Sequence, residues 1–303
     1  MKTRWVDFWG TVARWSVGQT RISLRTVTLL LVVVTLVLEQ RGSLLAADSG
    51  EAIRFSNAVM FTPVRTNMET RLFQFAPLLV FETPATNLAG WKLADCFGLA
   101  EVSQGALQVK PPQPAAYALK DVVVIRDRVF ESITYLWWRP PIRSNTSPVL
   151  QGLRITITPE GQPLVYEIHD SSAPGRRVVV TRSLEAAAQK TFGGPLPGRR
   201  FAVERPAADR ESAEVLRAID DGPLELGPVV YLRGGDGRIA TVICRCMPSQ
   251  VQSIAETGYY QLRELSAGLR QRLEDEIKKA FGHSTLEQIL RLPDDLPGTP
   301  ASP

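Results

Sequence analysis

An uncharged apolar run near the start of the sequence is its most pronounced hydrophobic feature. Residues 26–38 read TVTLLLVVVTLVL, and five basic residues but one acidic residue precede them. Lys and Arg beside a hydrophobic segment stay on the cytoplasmic side of a membrane. The basic leader at residues 1–25 is therefore predicted to be cytoplasmic, and the bulk of the chain extracytoplasmic.

The length of this run leaves two alternatives open. A membrane-spanning helix needs about 20 apolar residues, whereas about 10–14 is closer to the core of a signal peptide. Ala46 and Ala47 are small residues that suit cleavage, although the leader is long for a signal peptide. The segment is either a cleaved signal, giving a periplasmic or secreted protein, or a transmembrane anchor in the inner membrane.

A strand-rich region is predicted at residues 48–110. Short apolar runs bounded by Pro, Asn and Thr predict strands at 60–63, 71–75 and 77–82. The LLVF of the last run is continuous rather than alternating, which is typical of a strand covered on both faces. The Pro-rich stretch 110–117 that follows is interpreted as a linker or as a loop within one domain.

Residues 121–292 predict an α+β domain with two hairpins. Alternating apolar and polar positions predict a hairpin of strands 154–158 and 164–169, and the GGDG turn joins a second pair, 228–233 and 238–246. Three further strands are expected at 122–125, 176–181 and 199–204. Helices are expected at 184–192, capped by Ser183 and stopped by Gly193, and at 210–219, capped by Asp209.

A long helix is predicted towards the end of the chain. Its apolar positions recur at steps of three and four, which is typical of one helical stripe: Leu262, Leu265, Leu269, Leu273, Ile277 and Phe281. Ser284 and Glu287 predict a capping box for a second short helix, and residues 293–303 form a Pro-rich tail that is expected to be disordered. The stripe at 262–281 is interpreted as core packing, with a homodimer or protein-partner contact as the alternative.

These elements together predict an α+β fold. Its mixed or antiparallel sheet would carry hairpins and packing helices, behind an N-terminal hydrophobic signal or anchor segment. About 250 residues remain after that segment, which suits one large domain or two small ones.

The charge distribution argues against nucleic-acid binding. The net charge of +4 arises entirely within residues 1–47, where six basic and two acidic residues lie. From Asp48 onward, basic and acidic residues are equal in number, so no separate basic surface remains to follow a phosphate backbone. We therefore predict membrane contact through the N-terminal segment and no nucleic-acid partner.

Sequence motifs for catalysis are largely missing. The chain contains no phosphate-binding loop, GxGxxG, GxSxG, HExxH, CxxC or EF-hand pattern. It has two histidines, His169 and His283, so neither a cofactor nor a metal site is predicted. The neighbouring His169 and Asp170 support one alternative, in which the carboxylate orients a catalytic imidazole.

The three cysteines leave two structural alternatives. Cys244 and Cys246 share one face of the predicted last strand with Ala240 and Val242, and their Cα atoms would lie about 6.6 Å apart, which disfavours a direct bridge. Either all three thiols are buried as small apolar groups, or Cys96 forms a disulfide with Cys244 or Cys246. Thiol redox chemistry at the last two is a weaker hypothesis, because the predicted strand buries them.

Two function classes follow from these patterns. The first is an exported or single-pass membrane-anchored extracytoplasmic domain that binds a protein or envelope component without catalysis. Tyr135, Trp137 and Trp138 before the RPPIR motif, and Tyr259 and Tyr260 before the predicted long helix, are candidate contact residues, although core packing is favoured for them. The alternative is an extracytoplasmic hydrolase-like enzyme that uses His169 and Asp170 or other carboxylates.

Overall fold

The computed structural model describes residues 58–298, with gaps at 65–67, 83–95, 104–105, 111–112, 141–146, 174, 207, 210, 222–226, 235, 246–255, 266 and 282–284. Its strands are β1 (Ala58–Val64), β2 (Leu78–Glu82), β3 (Leu99–Ser103), β4 (Ala106–Lys110), β5 (Ala115–Ile125), β6 (Arg128–Arg139), β7 (Val149–Ile157), β8 (Pro163–Asp170), β9 (Arg177–Thr181), β10 (Glu214–Ile219), β11 (Pro228–Leu232), β12 (Ile239–Arg245) and β13 (Glu256–Glu264). Its helices are α1 (Thr70–Gln74), α2 (Arg182–Phe192), α3 (Ala267–Phe281) and α4 (Leu286–Ile289).

Eleven of these strands form one sheet. Their order is β10-β9-β8-β7-β6-β5-β13-β1-β2-β11-β12, and β3 and β4 form a separate hairpin. Strands β5 to β9 follow one another as antiparallel neighbours. In the middle of the sheet, β13 runs parallel to both β1 and β5.

The sheet curls until its last strand reaches its first ones. The backbone N–H of Ile239 in β12 donates to the Asp170 carboxylate of β8 at 3.1 Å, and Arg177 of β9 donates to the Ile239 carbonyl at 2.7 Å. The predicted α+β fold with packing helices is therefore wrong, because the protein is mostly β and built on one large, nearly closed sheet.

The principal core lies inside the curl. One cluster of buried side chains draws at least one residue from each of the eleven strands, among them Phe61, Tyr135, Trp137 and Tyr260. Other clusters cover the opposite face, with α2 and α4 over one part and α3 over another. Burial on both faces explains why the run 78–81 is continuously apolar, and all four of its residues are buried as predicted.

The single helix predicted over 262–281 is wrong, because the first part of the apolar stripe lies on strand β13 and most of the rest lies on helix α3. Leu262 lies on the strand and is buried inside the curl, while Leu269, Leu273 and Phe281 lie on the helix and are buried against another part of the sheet. The spacing of three and four across residues 262–269 is therefore coincidental. Pairing of β13 with strands on both sides overrides the helical pattern.

Three other local predictions are also wrong. Residues 214–219 of the predicted helix form strand β10 beside β9, because Val215 and Ile219 are buried there. The predicted strand 199–204 is a series of turns that carries one isolated bridge, from Glu204 to Leu290. The predicted strand 71–75 is replaced by helix α1.

The turn and cap predictions hold in part. Both predicted hairpins are present, β7 with β8 and β11 with β12. Gly193 ends helix α2 with a φ of 72°, a conformation in which glycine carries no Cβ penalty. The N-cap of α2 is Thr181 rather than Ser183, and the capping box of α4 joins Thr285 and Gln288 rather than Ser284 and Glu287.

The predicted N-terminal segment lies outside the described residues. Within the described part of the chain, no helix is long and apolar enough to cross a membrane. Of the tail predicted to be disordered, residues 293–298 are described, and Leu296 is buried in the cluster beneath the β5–β6 hairpin. Arg126 in the hairpin turn donates to the carbonyl of Pro293 at 2.7 Å.

Candidate functional site

The curled sheet leaves a seam between its two end strands. Within the described part of the chain, β10 pairs only with β9, and β12 pairs only with β11. A groove of about 810 Å³ lies at this seam between β10, β12 and helix α2. Its lining consists of Arg182, Glu185, Ala186, Gln189, Phe201, Arg217, Ala218, Ile219, Asp220 and Ile243.

Apolar side chains form the floor of the groove, and charged side chains lie at its rim. Ile219 is buried, while Phe201, Ala218 and Ile243 are partly buried. At the rim, the Arg182 guanidinium lies 2.9 Å from the Asp220 carboxylate. An apolar floor with a polar rim is the usual composition of a protein-binding surface.

Helix α2 is fixed against the turns at 199–204, which keeps this wall of the groove in place. The buried Glu185 accepts the backbone N–H of Ala202 at 2.8 Å and that of Val203 at 3.4 Å. Leu184 and Ala188 on the same helix are fully buried. The wall is therefore held before any ligand arrives, which lowers the ordering cost of binding.

A second feature is a buried polar cluster, which lies where the ends of β6 and β8 meet the β11–β12 turn. Gln151 accepts from the Trp137 indole at 3.0 Å and donates to the Asp170 carboxylate at 2.9 Å and to the Gly237 carbonyl at 2.9 Å. Arg139, which is 8% exposed, donates to the Asp236 carbonyl at 2.9 Å. The cluster connects distant parts of the curled sheet through side chains.

The Asp170 carboxylate is the centre of this cluster. Burial alone would raise the pKa of Asp170, but the hydrogen bonds that it accepts from Ser172, Ile239 and Gln151 together lower that pKa below its ordinary value. Ser172 contributes through both its hydroxyl, at 2.5 Å, and its backbone N–H, at 2.9 Å. The carboxylate is therefore ionised, and its oxygens accept hydrogen bonds from neutral donors.

His169 and Asp170 have separate surroundings. Neighbouring residues of a strand point to opposite faces, and the His169 ring lies 5.6 Å from the ring of Phe281 in helix α3. The Asp170 carboxylate instead accepts from Gln151, Ser172 and Ile239. The structure does not bring the two together as a dyad, and the hydrolase hypothesis stays a prediction. His283 lies outside the described residues.

The cysteines are described only in part. Cys96 is buried at 5% exposure in the interior cluster, which also contains Val242 of β12. The predicted shared face of Ala240 and Val242 is wrong, because Ala240 packs against a different cluster. Cys244 lies on β12, and Cys246 lies outside the described residues, so a disulfide from Cys96 to either stays a prediction.

The aromatic candidates are core residues. Tyr135, Trp137 and Trp138 are at most 1% exposed, which confirms the favoured interpretation of core packing. Tyr260 is buried in β13, whereas Tyr259 beside it is 63% exposed. The partner contact through 262–281 stays a prediction, although the apolar side chains of that segment pack inside the protein.

Sequence reasoning missed the groove and most of the polar cluster. Gln151, Arg139 and Arg177 lie on three different strands, so no local motif joins them. The one signal was the placement of polar residues inside otherwise apolar strands. Within the described ranges, His, Cys, Asp and Glu side chains form no group of three or more that could hold a metal ion.

Comparison with protein-family models, with curated proteins and with solved structures finds no match for this chain.

Proposed function

We propose that this chain is an exported or single-pass membrane-anchored extracytoplasmic domain that binds an extended segment of a partner protein without catalysis. The segment would lie in the groove at the seam between β10 and β12. The observation that carries the binding proposal is that one groove lies beside two strand edges that have no strand partner among the described residues. The location rests on the basic leader and the apolar run 26–38.

An extended segment fits this groove because of what strand edges offer. An edge strand presents a row of N–H and C=O groups that another strand can pair with. Main-chain hydrogen bonds then supply affinity, and pockets for alternate side chains supply specificity. The partly buried Phe201, Ala218 and Ile243 would receive apolar side chains of the segment, while the Arg182–Asp220 pair stays at the rim.

The extracytoplasmic location predicts a definite fractionation result. In cells that express the protein natively, we expect the domain outside the cytoplasm. It should be either soluble, with the mass of a chain that begins near Asp48, or full-length in the membrane fraction. Intact-mass measurement of each fraction distinguishes these two forms, and protease added to spheroplasts should degrade the membrane-bound form. A full-length, protease-protected protein in the cytoplasm would contradict the proposed location.

The groove predicts position-specific cross-linking. A photoreactive benzoylphenylalanine replacing Ala186, which is exposed on the groove wall, is expected to give one discrete adduct on illumination of intact cells. The matched control replaces Lys190, which is exposed on the same helix but does not line the groove. Mass spectrometry of the adduct should identify one continuous partner segment.

A second substitution tests the same contact by blocking it. The substitution Ala218→Val would add volume to the groove floor. It is expected to remove the adduct formed by benzoylphenylalanine at position 186, while the thermal unfolding midpoint changes little. Equal adducts from positions 186 and 190, or an adduct that survives the floor substitution, would contradict binding in the groove.

A further inference from the structure

Beyond the proposed partner contact, we infer that Arg177 and Arg139 form a binding site for a phosphate oxyanion beside the buried polar cluster. Three observations carry this inference: the donor edge of Arg177 that no described residue occupies, the lack of an ion-paired carboxylate at either arginine in the described ranges, and the close seating of Arg139 against Gly237.

The donor edge of Arg177 is unoccupied. Its Nη1 donates to the Ile239 carbonyl at 2.7 Å, but its Nε and Nη2 are buried and have no hydrogen-bond partner among the described residues. Nε and Nη2 together form the side of a guanidinium that binds two oxygens of one anion. A buried donor without an acceptor is costly, so two on one edge indicate a missing acceptor.

Another arginine in the same sheet shows how this edge is normally used. Arg154 donates from Nε and Nη2 to the two carboxylate oxygens of Glu167, at 2.6 and 2.5 Å. That pair joins β7 and β8 and uses a carboxylate of the chain itself. Arg177 has the same chemical edge in a buried position, with no carboxylate of the described residues on it.

Neither Arg139 nor Arg177 has an ion-pair partner within 4 Å in the described part of the chain. Arg139 is 8% exposed as a residue, its Nε is buried without a hydrogen-bond partner, and its one described hydrogen bond goes to a neutral carbonyl. Burial lowers the pKa of both arginines below its ordinary value, and the negative charge of Asp170 offsets only part of this decrease. Arg139 is buried and Arg177 is partly buried, and two such cations without a paired anion favour an anionic ligand.

The surrounding backbone holds Arg139 in one place. A Cβ atom built on Gly237 would lie 1.4 Å from Arg139 Nη1, so the guanidinium lies directly against the glycine backbone. Arg238 adds a further cation that acts on both Arg139 and Arg177, and it donates to the Ser172 carbonyl at 2.7 Å. A guanidinium that is seated against the backbone in this way is preorganised for an oxyanion.

Phosphate titration of the full-length protein in non-ionic detergent tests the site. With inorganic phosphate, we expect a saturable rise of the thermal unfolding midpoint, and none with sodium chloride at matched ionic strength. Arg177→Lys keeps the charge but loses the two-donor edge, so its apparent Kd for phosphate should be weaker by about tenfold or more. Arg263→Lys, at an exposed arginine of β13 that does not line the groove, should respond as the wild type does.

Glycerol phosphate, used in parallel, distinguishes the two sources of the same chemistry. Binding at least as tight as that of inorganic phosphate indicates a phosphate ester such as a lipid headgroup, and binding of inorganic phosphate alone indicates the free ion. If Arg177→Lys does not fold, Arg139→Lys is used as the test variant instead, and it is also expected to weaken phosphate binding. No saturable response, or an undiminished response of the folded lysine variant, would overturn the inference.

Discussion

Replacing Asp170 by Ala is expected to lower the free energy of unfolding by about 3–5 kcal/mol, because each of several buried donors left without its acceptor costs about 1–3 kcal/mol. The carboxylate accepts from Gln151, Ser172 and Ile239, and these donors would be left without it. Its negative charge also raises the pKa of both Arg139 and Arg177. Urea unfolding of the full-length chain, followed by far-ultraviolet circular dichroism, measures the loss.

Asp236→Ala is the matched control for this prediction. Asp236 lies in the neighbouring turn, is about half exposed, and forms long ion pairs of 3.7 Å with Arg233 and 3.6 Å with Arg238. Exposed pairs of this kind contribute at most about 1 kcal/mol. Similar losses at positions 170 and 236 would show that the buried network is not what stabilises this end of the sheet.

The contribution of Asp170 is also expected to depend on pH. Its pKa is lower in the folded protein than in the unfolded chain, so its stabilisation is fully present above the ordinary carboxyl pKa of about 3.9. It is lost as the pH falls through the lower folded pKa. The stability difference between wild type and Asp170→Asn should therefore be constant from about pH 5 to 7 and shrink below about pH 4.

The elements that the sequence predicts correctly are those specified by nearby residues. The β7–β8 hairpin follows from alternating residues on both sides of one short turn, and Gly193 ends α2 by its own backbone freedom. Strand β13 is different, because its partners β1 and β5 are remote in the sequence. No local pattern shows that residues 256–264 lie between two parallel neighbours.

The same reasoning explains why the polar cluster was only partly predictable. Asp170 is a candidate from the sequence because it follows His169, but most of the residues that surround it come from other strands. Gln151 lies on β7, Arg139 on β6 and Arg177 on β9, and they meet because the sheet curls. The α+β prediction failed for a related reason, since segments with helical spacing are paired in that sheet.

Gly258→Ala is expected to lower the free energy of unfolding by about 1–3 kcal/mol through overpacking. Gly258 of β13 pairs with Phe61 of β1, and an added Cβ would lie 2.7 Å from Cε1 and 2.8 Å from Cδ1 of that ring. The ring is 1% exposed and packs edge-on against Phe81 and Phe97, with centroids at 5.6 and 5.0 Å. It therefore has little room to move away from the new methyl group.

Gly268→Ala supplies a control of opposite sign. Gly268 lies in helix α3, and an added Cβ would meet nothing within 4 Å, so alanine should be neutral or stabilise by up to about 1 kcal/mol. In a double-mutant cycle, Phe61→Leu should cost less in the Gly258→Ala background than in the wild type, because the smaller side chain relieves the contact. Additive losses in this cycle would show that β13 does not pack against Phe61 as the curled sheet requires, and that the interior core is arranged differently.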